Sequence, residues 1–201
     1  MRLVKFIITI IFLIISFISH AEGLPPQELV QKTADDVLLI LKTDKDIQDN
    51  KEKIYQLAEE KILPNFDFER VSRLVLGKAW RKVDDNQKNQ FKTEFKTLLL
   101  RTYAVALGKY KDQQIEYKPL RMNPEDAIAT VKTSIIQSGA QPISVDYTLA
   151  KIEDGSWKVF DITIENVSLV TNYRSQFASE IKNNGIDSLI SKLAEKNNKG
   201  D

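Results

Sequence analysis

ISVDYTLAKIEDGSWKVFDITIE, residues Ile143–Glu165, decides the fold. Apolar and polar residues alternate on both sides of Asp154-Gly155, a dipeptide that favours the tight turn between antiparallel strands. A two-residue loop at that dipeptide sets Glu153 opposite Ser156. Leu149 then faces Phe160, Tyr147 faces Ile162, and Val145 faces Ile164. On the reverse face Thr148 meets Asp161 and Asp146 meets Thr163. Apolar meets apolar and polar meets polar, as a sheet with one buried face requires.

Upstream, Ile128–Ile136 alternates through Ala129, Val131, Thr133 and Ile135, and predicts the neighbouring strand. Setting Val131, Thr133 and Ile135 against Leu149, Tyr147 and Val145 leaves a loop at about Ser138–Pro142. Gln114–Lys118 predicts one more strand. The rest reads as helix. Pro25 to about Thr43 carries Leu29, Thr33, Val37, Ile40 and Leu41 at helical spacing, and Asp46–Leu63 carries Ile47, Ile54, Leu57, Ala58 and Ile62 before Pro64 stops it. A short helix over Phe66–Leu76 ends at Gly77. The longest should span about Asn86–Lys109, with Asp84 and Gln87 as a capping box and a stripe of Phe91, Phe95, Leu98, Leu99, Tyr103, Ala106, Leu107 and Tyr110. After the sheet, Ser168 caps a helix over Leu169–Asn184, Gly185 ends it, and Leu189, Ile190 and Leu193 mark a final short one.

These elements predict an α+β fold: a curved antiparallel sheet with helices over its apolar face. Such a cone has a mouth, and its interior is either filled by side chains or open to an apolar ligand.

The chain has 201 residues, no cysteine and one histidine, His20. Arg2 and Lys5, the apolar run Phe6–Ile18 and the small-x-small stretch Ser19-His20-Ala21 read as a secretory leader over residues 1–21. A single domain is then expected over 22–196, with a frayed polar tail at 197–201. Its removal takes away the sole histidine and two positive charges, so the formal charge moves from +1 to −1. A mature chain without Cys or His holds no disulfide, no Cys/His zinc site and no histidine general base. A near-neutral chain has no global field drawing it to nucleic acid or to an anionic bilayer. No dinucleotide, phosphate-loop or nucleophile-elbow motif is present, so no cofactor and no metal are expected.

Acidic neighbours such as Asp35-Asp36, Glu59-Glu60 and Asp84-Asp85 sit at caps and solvent faces, since adjacent residues do not share a helix face. In a cone-shaped sheet a single buried Asp can serve as a general base, but Asp146 and Asp161 both fall on the polar face, opposite the apolar stripe. Tyr103, Tyr110 and Tyr147 fall on inward faces, which suits the rim of a cavity, ring dry and hydroxyl wet.

Four stretches together resemble one family: ILPNFDFERVSRLVLGKAWR (Ile62–Arg81), DDNQKNQFKTEFKTLLLRTYAVAL (Asp84–Leu107), WKVFDITIENVSLVTNYRSQF (Trp157–Phe177) and NNGIDSLISKL (Asn183–Leu193). In order and spacing they are similar to the MlaC, or toluene-tolerance, family of periplasmic phospholipid-binding proteins. Asn166 stands where that pattern has glycine, and Asn is the side chain that best tolerates left-handed backbone.

The resemblance implies a cone-like NTF2- or cystatin-like sheet whose cavity encloses the two acyl chains of a phospholipid. It implies an exported, soluble periplasmic carrier, most simply a monomer. Its partners would be an outer-membrane lipoprotein and porin complex and an inner-membrane ABC transporter with an MCE-domain subunit, and its role to keep the outer membrane asymmetric. The sheet wall of the cavity would be Val131, Ile135, Val145, Tyr147, Leu149, Phe160, Ile162, Ile164 and Val167, and the helix wall Leu99, Tyr103, Leu107 and Tyr110. Arg81, Arg101 and Arg174 are candidates for headgroup or partner contact. Two other readings stay open at this point: an enzyme using Asp146 or Asp161, and a periplasmic adaptor or chaperone with a filled core.

Overall fold

In the computed structural model, which describes residues 23–44 and 46–199, the central hairpin closes on three residues rather than two. Gly155 donates to the Ile152 carbonyl at 2.9 Å, and Ile152 donates to the Ser156 carbonyl at 2.8 Å. Gly155 takes the left-handed conformation at φ 84°, which completes a turn followed by one bulged residue. Five strands form one antiparallel sheet in chain order: β1 (Gln114–Tyr117), β2 (Ile128–Ile136), β3 (Ile143–Lys151), β4 (Trp157–Ile164) and β5 (Val167–Ser168).

The extra loop residue shifts the register at the turn. Lys151 pairs with Trp157 and Leu149 with Val159, not with Phe160 as the two-residue loop predicts. A bulge between Thr148 and Leu149 then absorbs the offset at Phe160. Beyond it, Thr148–Asp161, Tyr147–Ile162 and Val145–Ile164 pair as expected. The β2–β3 hairpin also differs from expectation. Thr133 pairs with Val145 and Val131 with Tyr147, a slip of two residues. Such a slip leaves every side chain on its predicted face, so alternation cannot detect it. The loop decides: a turn with Ala140 donating to the Gln137 carbonyl closes it, with Gly139 at φ 77°.

Helix α1 (Pro26–Thr43) precedes α2 (Lys51–Leu57), which is shorter than the predicted Asp46–Leu63. Pro64 supplies no N–H to the carbonyl four residues back. The chain widens into a π turn at Ala58–Ile62, then tightens into a 3₁₀ turn at Leu63–Asn65. Helix α3 (Phe68–Leu76) ends at Gly77, and Asp67 caps its start. Helix α4 (Asp85–Tyr103) has both halves of the capping box, and Ala104–Lys109 continues as 3₁₀.

Helix α5 (Leu169–Lys199) bends at Gly185, whose φ of 83° is open to glycine at no steric cost. It runs through Lys199 rather than fraying at Asn197. The Asn197 amide is buried and donates to the Glu94 carbonyl at 2.9 Å and to its carboxylate at 2.8 Å. The expected leader, Gly200 and Asp201 lie outside the described residues.

Buried apolar residues fall into separate clusters. One joins α3, α4 and α5 around the stacked Phe91–Phe95 pair, with Phe177 and Tyr173 set edge-on to Phe95. Another joins the second half of α1 to α2 and the 3₁₀ turn after α4. The last lies between the start of α1 and the sheet, around Val30, Ala129, Val131, Leu149, Trp157 and Val159.

The bend in α5 is held by a carboxylate. Glu180 accepts from Asn184 at 2.9 Å and Ser188 at 2.7 Å through one oxygen, and from Lys192 at 2.6 Å through the other. These donors, Lys192 foremost, hold its carboxyl down at about 2 against an ordinary 4.5. A depressed carboxyl contributes stability above its ordinary pKa and loses it as pH falls through the folded value. Glu180→Gln should therefore lower the urea midpoint at pH 7. Measured again close to pH 2, the difference from wild type should shrink toward zero.

Candidate functional site

One face of the sheet is apolar along its whole length. The register places its side chains in rows: Ala129–Leu149–Val159, then Val131–Tyr147–Ile162, then Tyr117–Thr133–Val145–Ile164, then Ile115–Ile135–Ile143. The first row is core, with Leu149 at 0 % exposure, while Ile143 in the last is 45 % exposed. Buried residues persist through the third row, at Thr133 and Val145, and the last row holds none, so the face opens at that end. Val167, opposite Ile164, is half exposed at that same end. Thr133 lies within the rows beside Tyr117 and Tyr147, and its hydroxyl is satisfied by the Val145 carbonyl at 2.7 Å.

The turn into β5 rests on Glu165 and Asn166, at φ 48° and 65°. Two positive φ values in sequence make the hairpin turn that suits strand twist, and Asn166 adopts it in place of glycine. Glu165 also accepts from the Ser144 N–H through its side chain, which ties the turn to β3.

The predicted wall residues are divided among the clusters. Val131, Tyr147, Leu149 and Ile162 sit in or against the sheet cluster. Leu99, Tyr103 and Phe160 pack on the helical cluster of α3–α5, and Leu107 and Tyr110 on the α1–α2 cluster. Ile135, Val145 and Ile164 line the rows near the open end. Phe160 does not share the face of Val159 and Ile162. The bulge turns it toward the helices, where the Arg70 guanidinium lies 4.2 Å from its ring centre. In its place Val159 and Trp157 complete the sheet wall, along with Ala129 and Tyr117, none of them expected there. The broken alternation Trp157, Val159, Phe160, Ile162, Ile164 is the signal that could have found the bulge.

Adjacent residues of one element belong to different clusters. In α4, Leu99 and Tyr103 pack on one and Leu100 on another. In β4, Val159 and Phe160 divide likewise. In α1 the division falls between Val30 and Val37. The partly buried apolar residues therefore lie at the margins of these clusters. Clefts of about 390 Å³ and 350 Å³ lie elsewhere. The first is lined by Glu59, Leu63, Pro64, Phe68, Lys92, Thr93 and Lys96, and the second includes Tyr110 beside Lys42 and Lys111. Both are open and rimmed by charge, unsuited to acyl chains.

Polar groups divide by role. Tyr103 shares a hydrogen bond with Tyr173, and burial followed by that bond pushes its hydroxyl well above the ordinary value. Arg174 donates to the Leu74 carbonyl at 2.6 Å, closing the end of α3 rather than reaching the open rows. Arg81 is exposed on the 3₁₀ turn Gly77–Arg81, and Arg101 is half-buried near the end of α4. Asp146 stands on the reverse face between Lys132 and Thr163. Asp161 accepts from Ser168 Oγ at 2.6 Å and from the Val170 N–H at 3.1 Å, while Ser168 Oγ accepts from the Thr171 N–H at 3.1 Å. The carboxylate thus caps α5 together with Ser168.

A family profile described as MlaC protein matches residues 31–195. The intermembrane phospholipid transport system binding protein MlaC of Haemophilus influenzae is 28 % identical over 177 residues, covering 84 % of this chain and 80 % of that one. The toluene tolerance protein ttg2D of Pseudomonas putida is 28 % identical over 164 residues, covering 81 % and 75 %. A phospholipid-binding protein from Ralstonia solanacearum, solved in complex with a phospholipid, superposes with a TM-score of 0.82 at 35 % identity. That match covers 88 % of this chain and 98 % of the other.

If Asp161 is a cap, its loss is a loss of stability. Asp161→Ala should cost about 1–2 kcal/mol in urea unfolding, and Asp161→Asn less, because an amide oxygen still accepts from Val170.

Proposed function

The chain belongs to the MlaC family, and on that premise we propose that it is a periplasmic phospholipid carrier. Residues 1–21 direct its export, and the mature domain moves lipid between outer- and inner-membrane complexes, which maintains outer-membrane asymmetry. One observation carries this reading: the apolar face of the sheet, continuous from the Leu149 row to the open end at Ile143. A fully filled core would leave no apolar opening, whereas this face ends in the partly exposed Ile115–Ile135–Ile143 row beside the exposed Val167. The phospholipid-bound relative shares this architecture.

Removing two chains of about 15 carbons from water is worth roughly 24 kcal/mol gross. The donor is a bilayer, where those chains are already dry, so the net transfer is a small difference. Exchange then depends on matching the chains and touching donor and acceptor, not on bond chemistry. Asp161, the better placed of the two carboxylates considered for catalysis, is engaged by Ser168 and Val170. Among the described residues, no helix is long and apolar enough to cross a membrane. Proposed partners are an outer-membrane lipoprotein and porin complex and an inner-membrane ABC transporter with an MCE-domain subunit.

Protein expressed with its leader and purified from the periplasm should yield about one phospholipid per chain on organic extraction. Stable protein that is repeatedly empty would overturn the reading. Ile164→Glu places a charge in an apolar row, and should lower the lipid content roughly tenfold or more while leaving the circular dichroism unchanged.

A further inference from the structure

The apolar face carries three hydroxyl-bearing side chains, and they are not equivalent. Thr133 is satisfied within the sheet at 2.7 Å. The Tyr117 hydroxyl is buried and has no hydrogen-bond partner among the described residues. Tyr147 is on the same face. Tyr117 pairs with Thr133 and Tyr147 with Val131, so the tyrosines flank β2 on opposite sides, about 7 Å apart along it. Both pack against the sheet cluster. Burial pushes the Tyr117 hydroxyl up to about 12, with smaller contributions from Asp35 and Tyr147, and burial alone raises Tyr147. A hydrogen bond contributes to neither shift, in contrast to Tyr103, which has Tyr173.

A buried hydroxyl without a partner is destabilising, and phenylalanine would fill the same space without that penalty. One such phenol, Tyr117, with the Tyr147 ring on the same largely aliphatic face, points to an acceptor that arrives with the ligand. Asp35 lies close enough to act on Tyr117, so a phosphate oxygen would meet a like charge there. A neutral acceptor meets none.

We infer that the Tyr117 and Tyr147 hydroxyls donate hydrogen bonds to the ester carbonyl oxygens of the bound lipid, making this pair the part of the chamber that recognises the acyl-glycerol linkage. This rests on the carrier reading, and extends it from a chamber that accepts chains to one that senses how the chains are attached. The headgroup contributes nothing at this position, so the pair suits a carrier tolerant of headgroup but selective for diacyl lipid.

The test uses diester and diether phosphatidylcholine of equal chain length, mixed equally in vesicles and offered to lipid-stripped protein. Retained lipid is then identified by mass spectrometry. Wild type should retain the diester about five- to tenfold over the diether, the scale of one or two hydrogen bonds. In Tyr117→Phe/Tyr147→Phe the ratio should fall to about one, with diether retention undiminished. The lipid-free double variant should melt no lower than wild type, whereas a structural role for the hydroxyls would lower it. Equal retention by wild type, or a preference surviving in the double variant, would overturn the assignment and leave the carrier standing. Retention of neither lipid by wild type would overturn both.

Discussion

The residue that the rest of the structure turns on is the extra one in β4. With Phe160 bulged, Val159 and Ile162 both face the sheet cluster although they are three apart in sequence. Phe160 and Asp161 are released to the other side, where one packs against the helical cluster beneath Arg70 and the other caps α5. A regular strand could do one or the other. It would either break the apolar rows or leave the first turn of α5 with unsatisfied N–H groups. The bulge thus joins the sheet to the helical layer on one side while leaving the apolar rows unbroken on the other.

That arrangement explains why the apolar residues divide into separate clusters. On the proposed carrier reading, the largest side chains cannot fill the place the ligand takes against the apolar face. Phe91, Phe95, Tyr173 and Phe177 therefore interlock among the helices, where they stabilise the fold independently of anything on the sheet. The sheet rows are mostly aliphatic, with Tyr117, Tyr147 and Trp157 among them. Helix α1 links the two regimes, with Val30 on the sheet and Val37 and Leu41 against α2.

Much of this was legible in the alternation of Ile143–Glu165. The strands, the buried face, the Asp84–Gln87 capping box and the Gly185 break all follow from local pattern. Register was less so. The pairing at Val145–Ile164 came out right because two offsets of one residue cancel, the longer loop at Gly155 and the bulge at Phe160. Face alternation is blind to the two-residue slip in β2–β3 for a simpler reason: both registers bury the same side chains. The helix wall was the least legible. The stripe from Phe91 to Tyr110 reads as one surface, yet it is shared between two clusters because the helix tightens to 3₁₀ after Tyr103. Tyr117 was passed over because a short strand gives alternation little length in which to show.

The seams between clusters have a mechanical meaning as well. Interlocked aromatics are nearly incompressible, whereas the cluster margins at Leu99, Leu107, Tyr147 and Ile162 are only partly buried and less completely packed. Volume in this molecule is therefore soft along planes rather than uniformly. Hydrostatic pressure would act first on those planes, closing them without melting the helical layer. On the proposed carrier reading, the same softness would let these margins part to admit a hydrocarbon chain while each cluster keeps its own packing.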